Sequence, residues 1–238
     1  MTIQEMLSEK VGRLVARHPR FGRVFEQYKI DYCCRGNVDL AEACRLADVD
    51  PEPVVEALMK TVEQPGEAET DWNASPLSEL TDHIEQTHHA FLRTELPRLS
   101  ELIDKVCRAH GDRKPELFKL RDVFAAMRDE LEMHMVKEEQ ILFPAVRTLE
   151  QHRESVPFPF GTIANPIRMM EHEHDTAGAA LREMRRLTHD WIPPRDACPT
   201  YRVMLNSLAE LERDLHNHIH KENNILFPRA QALESSAG

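Results

Sequence analysis

Glycine is scarce, at 8 of 238 residues, while apolar positions recur at helical spacing through most of the chain. Together these argue against a turn-rich sheet protein and for an all-α one. No run approaches the roughly 18 consecutive apolar residues that a membrane span needs. The N-terminus, Met-Thr-Ile-Gln-Glu, lacks the basic start and apolar stretch of a secretory signal, so a cytoplasmic protein is expected. Basic charge is in deficit: 30 Lys and Arg stand against 41 Asp and Glu, a net charge of −11. A surface of that sign repels a phosphate backbone, and nucleic acid is not an expected partner. Cysteine is sparse and odd in number, the five being Cys33, Cys34, Cys44, Cys107 and Cys198. A secreted disulfide framework would show an even and denser pattern, so thiols are expected, with Cys44, Cys107 and Cys198 only packing.

Hydrophobic residues at 41% and charged residues at 30% give an ordinary globular balance. Histidine stands out: 13 residues gather in three places on expected helices, each near acidic side chains. That combination points to metal.

Residues 1–63 read as several short helices: an apolar stripe of Met6, Leu7, Val11, Leu14 and Val15 ending near His18-Pro19, a stretch with Phe21, Val24, Phe25 and Tyr28, a turn at Asp31-Tyr-Cys-Cys-Arg-Gly-Asn37, and a helical pattern from Leu40 to Leu46. Asp50-Pro51 has the form of an N-cap followed by proline at the first helical position. This piece is small for a self-sufficient core and is expected to dock on the rest. Residues 64–76, polar with both Gly and Pro, read as a linker. Four long helical patterns follow, over about 76–109 with Ser75 as cap, 115–150, from the cap-plus-proline signal Asn165-Pro166 to before Trp191, and 200–233. Short to moderate connections between them predict a four-helix bundle.

The strongest signal is an internal repeat. His134-Met-Val-Lys-Glu138-Glu-Gln-Ile-Leu-Phe-Pro144 matches His218-Ile-His-Lys-Glu222-Asn-Asn-Ile-Leu-Phe-Pro228. His and Glu four apart share one helix face and can present an imidazole and a carboxylate to one metal centre. Each motif has an upstream histidine: His89 lies 45 residues before His134, and His174 lies 44 before His218. The set His89, His134, Glu138, His174, His218 and Glu222 offers four imidazoles and two carboxylates, which suits a pair of iron ions bridged by the carboxylates. Met127, Leu131, His134, Glu138 and Ile141 align on one face. Ile167, Met170, His174, Ala177, Leu181 and Met184 align on another, with His172 off it. Leu208, Leu211, Leu215, His218, Glu222 and Ile225 align on a third and disfavour His216 and His220. The first helix is ambiguous: Leu92, Leu96, Leu99 and Ile103 favour His89, whereas Leu77, Leu80, Ile84 and Phe91 favour His88.

One His-x-x-x-Glu is most simply a surface salt bridge. Two copies on apolar stripes, each with an upstream His, favour metal, because an ionised carboxylate on an apolar face is costly without a partner. A ferritin-like alternative exists: Glu85-x-x-His88, Glu171-x-x-His174, Glu138 and Glu222. It leaves His134 and His218 idle on the core face, and the histidine-rich set is preferred. Glu173 and Glu139 sit beside ligands, as partners of them or merely solvated, with solvation favoured for Glu139. His83, His110, His152 and His189 are expected at the surface.

The paired His-x-x-x-Glu motifs with upstream histidines resemble the hemerythrin-like domain. The whole chain resembles the repair-of-iron-centres family of bacterial di-iron proteins, through Asp31-Tyr-Cys-Cys-Arg-Gly36, the segment 134–144, Glu173-His-Asp175 and Glu222-Asn-Asn-Ile-Leu-Phe-Pro228. That resemblance implies a small helical N-terminal domain (1–63) and a hemerythrin-like bundle (77–235). It implies an oxo-bridged pair of non-haem iron ions, with Glu138 and Glu222 bridging and His89, His134, His174 and His218 terminal, and so selects His89 over His88. It further implies repair of iron–sulfur clusters damaged by nitric oxide or peroxide. In this chain Arg35 stands where the family usually has the first of two glycines after the cysteine pair, which alters the loop or the charge beside the thiols and leaves the metal ligands untouched.

Three readings of the centre follow. It supplies iron to damaged clusters, it reduces nitric oxide to nitrous oxide with thiols passing electrons, or it binds gas as a sensor. Cys33 and Cys34 are expected to take part in iron or electron transfer, against the plainer reading of two thiols in a turn; a bond between adjacent cysteines is strained and easily reduced. The expected partners are damaged iron–sulfur proteins, nitric oxide or dioxygen as small ligands, and a second copy of the chain in a homodimer.

Overall fold

The computed structural model describes residues 2–63, 70–152 and 156–236. Their regular structure is helical, and pairing between extended segments is limited among them to the isolated bridges Lys10–Asp39 and Phe158–Gly161. The described residues form two compact units. One holds Met1–Leu80, Leu149–Val156 and His216–Gly238; the other holds Thr81–Thr148 and Pro157–Leu215. Among the described residues no helix is long and apolar enough to cross a membrane.

In the first unit, the short helices α1 (Ile3–Ser8), α2 (Val11–Arg17), α3 (Phe21–Gln27), α4 (Leu40–Leu46) and α5 (Pro51–Glu63) surround a core that includes Leu14, Phe25, Tyr32, Cys33, Leu40 and Leu58. Helices this short are marginal alone, so caps and packing set their ends. Thr2 and Glu5 form a reciprocal capping box. The Asp39 side chain accepts from Glu42 N–H, and Asp50 accepts from Glu52 N–H ahead of Pro51, as the cap-plus-proline signal predicts. The core also takes in Ile219, so the N-terminal helices do dock on a later segment.

Of the expected linker, residues 64–69 lie outside the described residues. The remainder is tied down: Asn73 donates to the Ala16 carbonyl at 2.6 Å, and Arg229 donates to the carbonyls of Trp72 and Ser75. Ser75 does not cap the next helix, α6 (Leu77–His83). Its hydroxyl turns back to Asp71, and the orphan amides of Leu77 and Ser78 are taken by the Glu150 carboxylate at 2.5 and 2.9 Å.

The second unit is the bundle. Its core draws Leu92, Leu96 and Leu99 from α7 (Ala90–His110), Leu120, Phe124 and Met127 from α8 (Glu116–Lys137), Leu181 and Met184 from α10 (Ala164–Leu187), and Leu208 and Leu211 from α11 (Pro199–Lys221); α9 (Phe143–Gln151) follows α8 in the chain. The all-α class and the four-helix bundle are as the periodicity predicts. α10 begins before the expected cap: Ile163 is its N-cap, and Asn165, already inside the first turn, donates instead to the Phe160 carbonyl. After α10 three consecutive residues, His189, Asp190 and Trp191, have positive φ. They are held by the buried Trp191 indole, which donates to Glu212 at 2.8 Å, while Glu212 is clamped by Arg185. The last helix, α12 (Phe227–Ser236), lies in the first unit.

Three stretches depart from α geometry into π-helical turns: Ile84–His89, Glu138–Leu142 and Glu222–Leu226. Each widened turn inserts one residue and rotates the following face by about 100°. That explains the ambiguous first helix. Ile84 and His89 are five apart, so the stripe of Leu77, Leu80 and Ile84 continues into that of Leu92, Leu96 and Leu99 across the turn, and all are buried. It also corrects one expected core position: at the end of the Glu138–Leu142 turn, Leu142 is buried at 1% and Ile141 is 47% exposed.

Candidate metal centre

Each π turn carries a residue of the expected ligand set: His89 ends the first, Glu138 opens the second, and Glu222 opens the third. In the bundle unit, Glu138 is wholly buried, with Oε2 at 3.3 Å from His89 Nε2 and 3.3 Å from His134 Nε2. His134 Nε2 in turn lies 3.1 Å from His174 Nε2. In the other unit, His218 Nε2 lies 3.1 Å from Glu222 Oε1, both side chains buried. Each half of the repeat thus brings imidazole against carboxylate on a buried face.

The donor set fits a cation. Ligand bonds of about 2.1–2.2 Å in an octahedral sphere put neighbouring donor atoms about 3.0–3.1 Å apart. The spacings of 3.1–3.3 Å within each unit are close to that edge. A fully buried carboxylate ringed by imidazole nitrogens is costly without positive charge to offset it.

The outer nitrogens of two histidines are fixed by carboxylates. His89 Nδ1 lies 2.7 Å from Glu139 Oε1, and Glu139 is held by Arg93. His134 Nδ1 lies 2.9 Å from Glu173 Oε2, and Glu173 is held by Lys137. Each carboxylate accepts only, so each Nδ1 donates, and in the neutral ring that metal binding requires Nε2 keeps its lone pair on the Glu138 side. The His134 hydrogen bond, with Lys137 adding to it against the effect of burial, holds the Glu173 carboxyl down at about 2. Burial works against Glu139 too, but its bonds to Arg93 and His89 prevail and lower it. The expectation that Glu139 is merely solvated is therefore wrong. Nothing in the local sequence reveals its role, because its partners lie 46 and 50 residues away.

The remaining histidines sort clearly. His88 is buried but pairs through Nδ1 with Asp214 at 2.8 Å. Glu85 is taken by Arg147 at 2.7 Å, and Glu171 is exposed, which leaves the ferritin-like alternative without two of its carboxylates. His152 and His189 are exposed and His83 is half-buried. His110 is not a surface residue: it is 7% exposed, with Nε2 at 3.3 Å from Cys198 Sγ and its ring against Tyr201. His220, off the expected ligand face, is also buried, and packs on Tyr32 at 5.5 Å between ring centroids.

The cysteine loop is seated on the turn that carries Glu222. Asn224 donates to the carbonyls of Tyr32 and Cys33 at 3.3 and 3.0 Å, and Asn223 donates to Cys33 at 3.3 Å. Asn224 itself fits into a notch formed by Gly12 and Gly36. Arg35 is exposed and has an ordinary negative φ, so no glycine is needed there; Gly36 is the buried one. All five cysteines are thiols, Cys33 and Cys34 with their sulfurs 3.8 Å apart. Contact with the Cys34 thiol, together with burial, raises the Cys33 thiol well above its usual range.

Buried imidazoles and carboxylates on the core face of a four-helix bundle define the class of non-haem metal-binding bundles. Residues 79–230 match the hemerythrin HHE cation binding domain, and residues 7–62 match a domain of unknown function, DUF542. The chain is 41% identical to the iron-sulfur cluster repair protein YtfE of Escherichia coli O157:H7 and 40% identical to that of Shigella boydii serotype 4, each over 95% of this chain and 98% of the relative. It belongs to the hemerythrin-like repair-of-iron-centres family, as the motifs predict.

Removing Glu173 should loosen the His134 ring. Glu173→Ala is expected to weaken iron binding about 10- to 100-fold in chelator competition, the usual effect of losing such a support. Unchanged affinity would deny Glu173 an orienting role.

Proposed function

We propose that this chain repairs iron–sulfur clusters damaged by nitrosative or oxidative stress, by supplying iron from an oxo-bridged pair of non-haem ions held by His89, His134, Glu138, His174, His218 and Glu222. The observation that carries this reading is the buried Glu138 with imidazole nitrogens 3.3 Å away on two sides, an arrangement whose chemistry the His218–Glu222 pair repeats. Support also comes from the family domain, which spans both halves of the repeat, and from relatives named as iron-sulfur cluster repair proteins.

A mixed histidine and carboxylate sphere binds iron less permanently than a thiolate cage, and its affinity changes with metal charge. Glu138 and Glu222 contribute the charge that holds the pair, and Glu139 and Glu173 keep imidazole lone pairs turned inward. Cys33 and Cys34, on the loop fastened beside Glu222, act in passing iron or electrons. In this reading residues 1–63 form the thiol-bearing domain, 64–76 the linker and 77–235 the metal-binding bundle. The protein works in the cytoplasm on damaged iron–sulfur proteins, meets nitric oxide or dioxygen as small ligands, and forms a homodimer.

The test is transfer. Iron-loaded chain, mixed anaerobically with a reductant and a dehydratase whose cluster has been destroyed by nitric oxide, should restore activity faster than an equal amount of ferrous salt. Reactivation no better than that of free iron would remove the repair reading. Nitrous oxide accumulating in the headspace under nitric oxide would instead favour a reductase.

A further inference from the structure

Asp31, Cys33 and Cys34 lie outside the repeated His and Glu motifs, and their ligand atoms all fall within 4.8 Å of one another. The sulfurs are 3.8 Å apart, and Cys33 Sγ is 3.4 Å from Asp31 Oδ1. A disulfide would need the sulfurs at about 2.05 Å. A tetrahedral ion with sulfur bonds of about 2.3 Å sets its sulfurs about 3.8 Å apart, and with an oxygen bond of about 2.1 Å it sets sulfur and oxygen about 3.6 Å apart. The sulfur pair and the Cys33 Sγ–Asp31 Oδ1 contact already stand close to two edges of such a tetrahedron.

The loop is also built to hold them there. Asp31 Oδ1 accepts from the backbone N–H groups of Cys34 and Arg35 at 2.9 and 3.3 Å, which fixes the carboxylate against its own turn. Asn223 and Asn224 fix the Tyr32 and Cys33 carbonyls to the turn that carries Glu222. Cys33 is buried and Cys34 half-buried, so the pair opens to solvent on the Cys34 side. Without a cation, ionising both thiols beside Asp31 would crowd three negative charges together. A divalent ion reduces that to one.

We propose that Asp31, Cys33 and Cys34 form a second cation site, which takes one thiophilic divalent ion through two thiolates and one carboxylate. Binding releases the two thiol protons to solvent and leaves a fourth position for a ligand exchanged with the acceptor. In the cell that ion is ferrous iron in transit. The site deepens the reading of Cys33 and Cys34 as transfer thiols and rests on it.

Cobalt(II), added anaerobically to the reduced full-length protein, is the probe. The expected result is a thiolate-to-cobalt charge-transfer band that saturates at one equivalent and is missing from Cys33→Ser/Cys34→Ser. Asp31→Asn should keep the band but weaken its titration at least tenfold. Glu138→Gln/Glu222→Gln should keep the band while losing bundle metal. Absence of the band in wild type, or its persistence in the double serine variant, overturns the site. Should the serine variant fail to fold, alkylation decides: stoichiometric cadmium should slow modification of Cys33 and Cys34 in wild type more than tenfold, and an unchanged rate refutes the proposal. A wild-type chain that restores clusters without showing the band would sink this site and leave the repair reading standing. A band without cluster repair would do the reverse.

Discussion

Glu138→Gln should sharply cut loading of the proposed iron pair and, at the same time, raise the melting temperature of the metal-free protein. Glu138 is 0% exposed, with its carboxylate facing His89 and His134. In the proposed loaded state the charge is neutralised by the ion, and the site needs it. In the metal-free protein it is a buried anion beside the imidazoles of His89 and His134. A buried carboxylate facing neutral imidazoles carries a desolvation cost that a neutral amide of the same shape avoids, so a gain of about 1 kcal/mol or more is expected. For a chain of this size that is about 2–4 °C per kcal/mol. Iron per chain, measured by elemental analysis, should fall from two to below one, while thermal unfolding of the chelator-treated protein shifts upward. A metal-free variant less stable than wild type would mean that Glu138 is a satisfied structural group, and the ligand assignment would fail with it.

The same opposition explains what was legible in the sequence. The i, i+4 pairing of His134 with Glu138 and of His218 with Glu222 is a local pattern, and so are the apolar stripes that put them inside. The fold class and the candidate ligands therefore follow from periodicity, except that the choice of His89 over His88 comes only from the family resemblance. What periodicity of 3.6 cannot express is a π turn. Because Ile84 and His89 are five apart, a 3.6-residue period yields two incompatible stripes competing for His88 and His89, and because the Glu138 turn also widens, it places Ile141 inside when Leu142 is the buried residue. Long-range partners were equally hidden. Glu139 belongs to His89 and Arg93, and Glu150 caps a helix that starts 73 residues earlier. His110 is internal because Cys198 and Tyr201, far along the chain, cover it. Expectations failed where a side chain's surroundings are supplied by another helix.

Gly36→Ala should detach the cysteine loop from the turn that carries Glu222. A Cβ at Gly36 would fall 1.9 Å from Asn224 Oδ1 and 2.8 Å from the Tyr32 carbonyl oxygen; one at Gly12 would fall 2.1 Å from the same Asn224 oxygen. Neither glycine has positive φ, so the requirement is one of space and not of backbone conformation. Asn224 cannot give way without surrendering its bonds to Tyr32 and Cys33. Overpacking of this kind costs about 1–3 kcal/mol, and the lost hydrogen bonds add about 1 kcal/mol each. The expected result is destabilisation of about 3–5 kcal/mol together with faster alkylation of Cys33, whose burial depends on the loop. The paired variant makes the cause visible. In an Asn224→Ala background the nearest clash disappears, so Gly36→Ala should cost less there than in wild type, by about 0.5–3 kcal/mol of coupling in a double-mutant cycle. Strict additivity would place the strain elsewhere in the loop, against the Tyr32 carbonyl, and would remove Asn224 as the link between the thiol pair and the Glu222 turn.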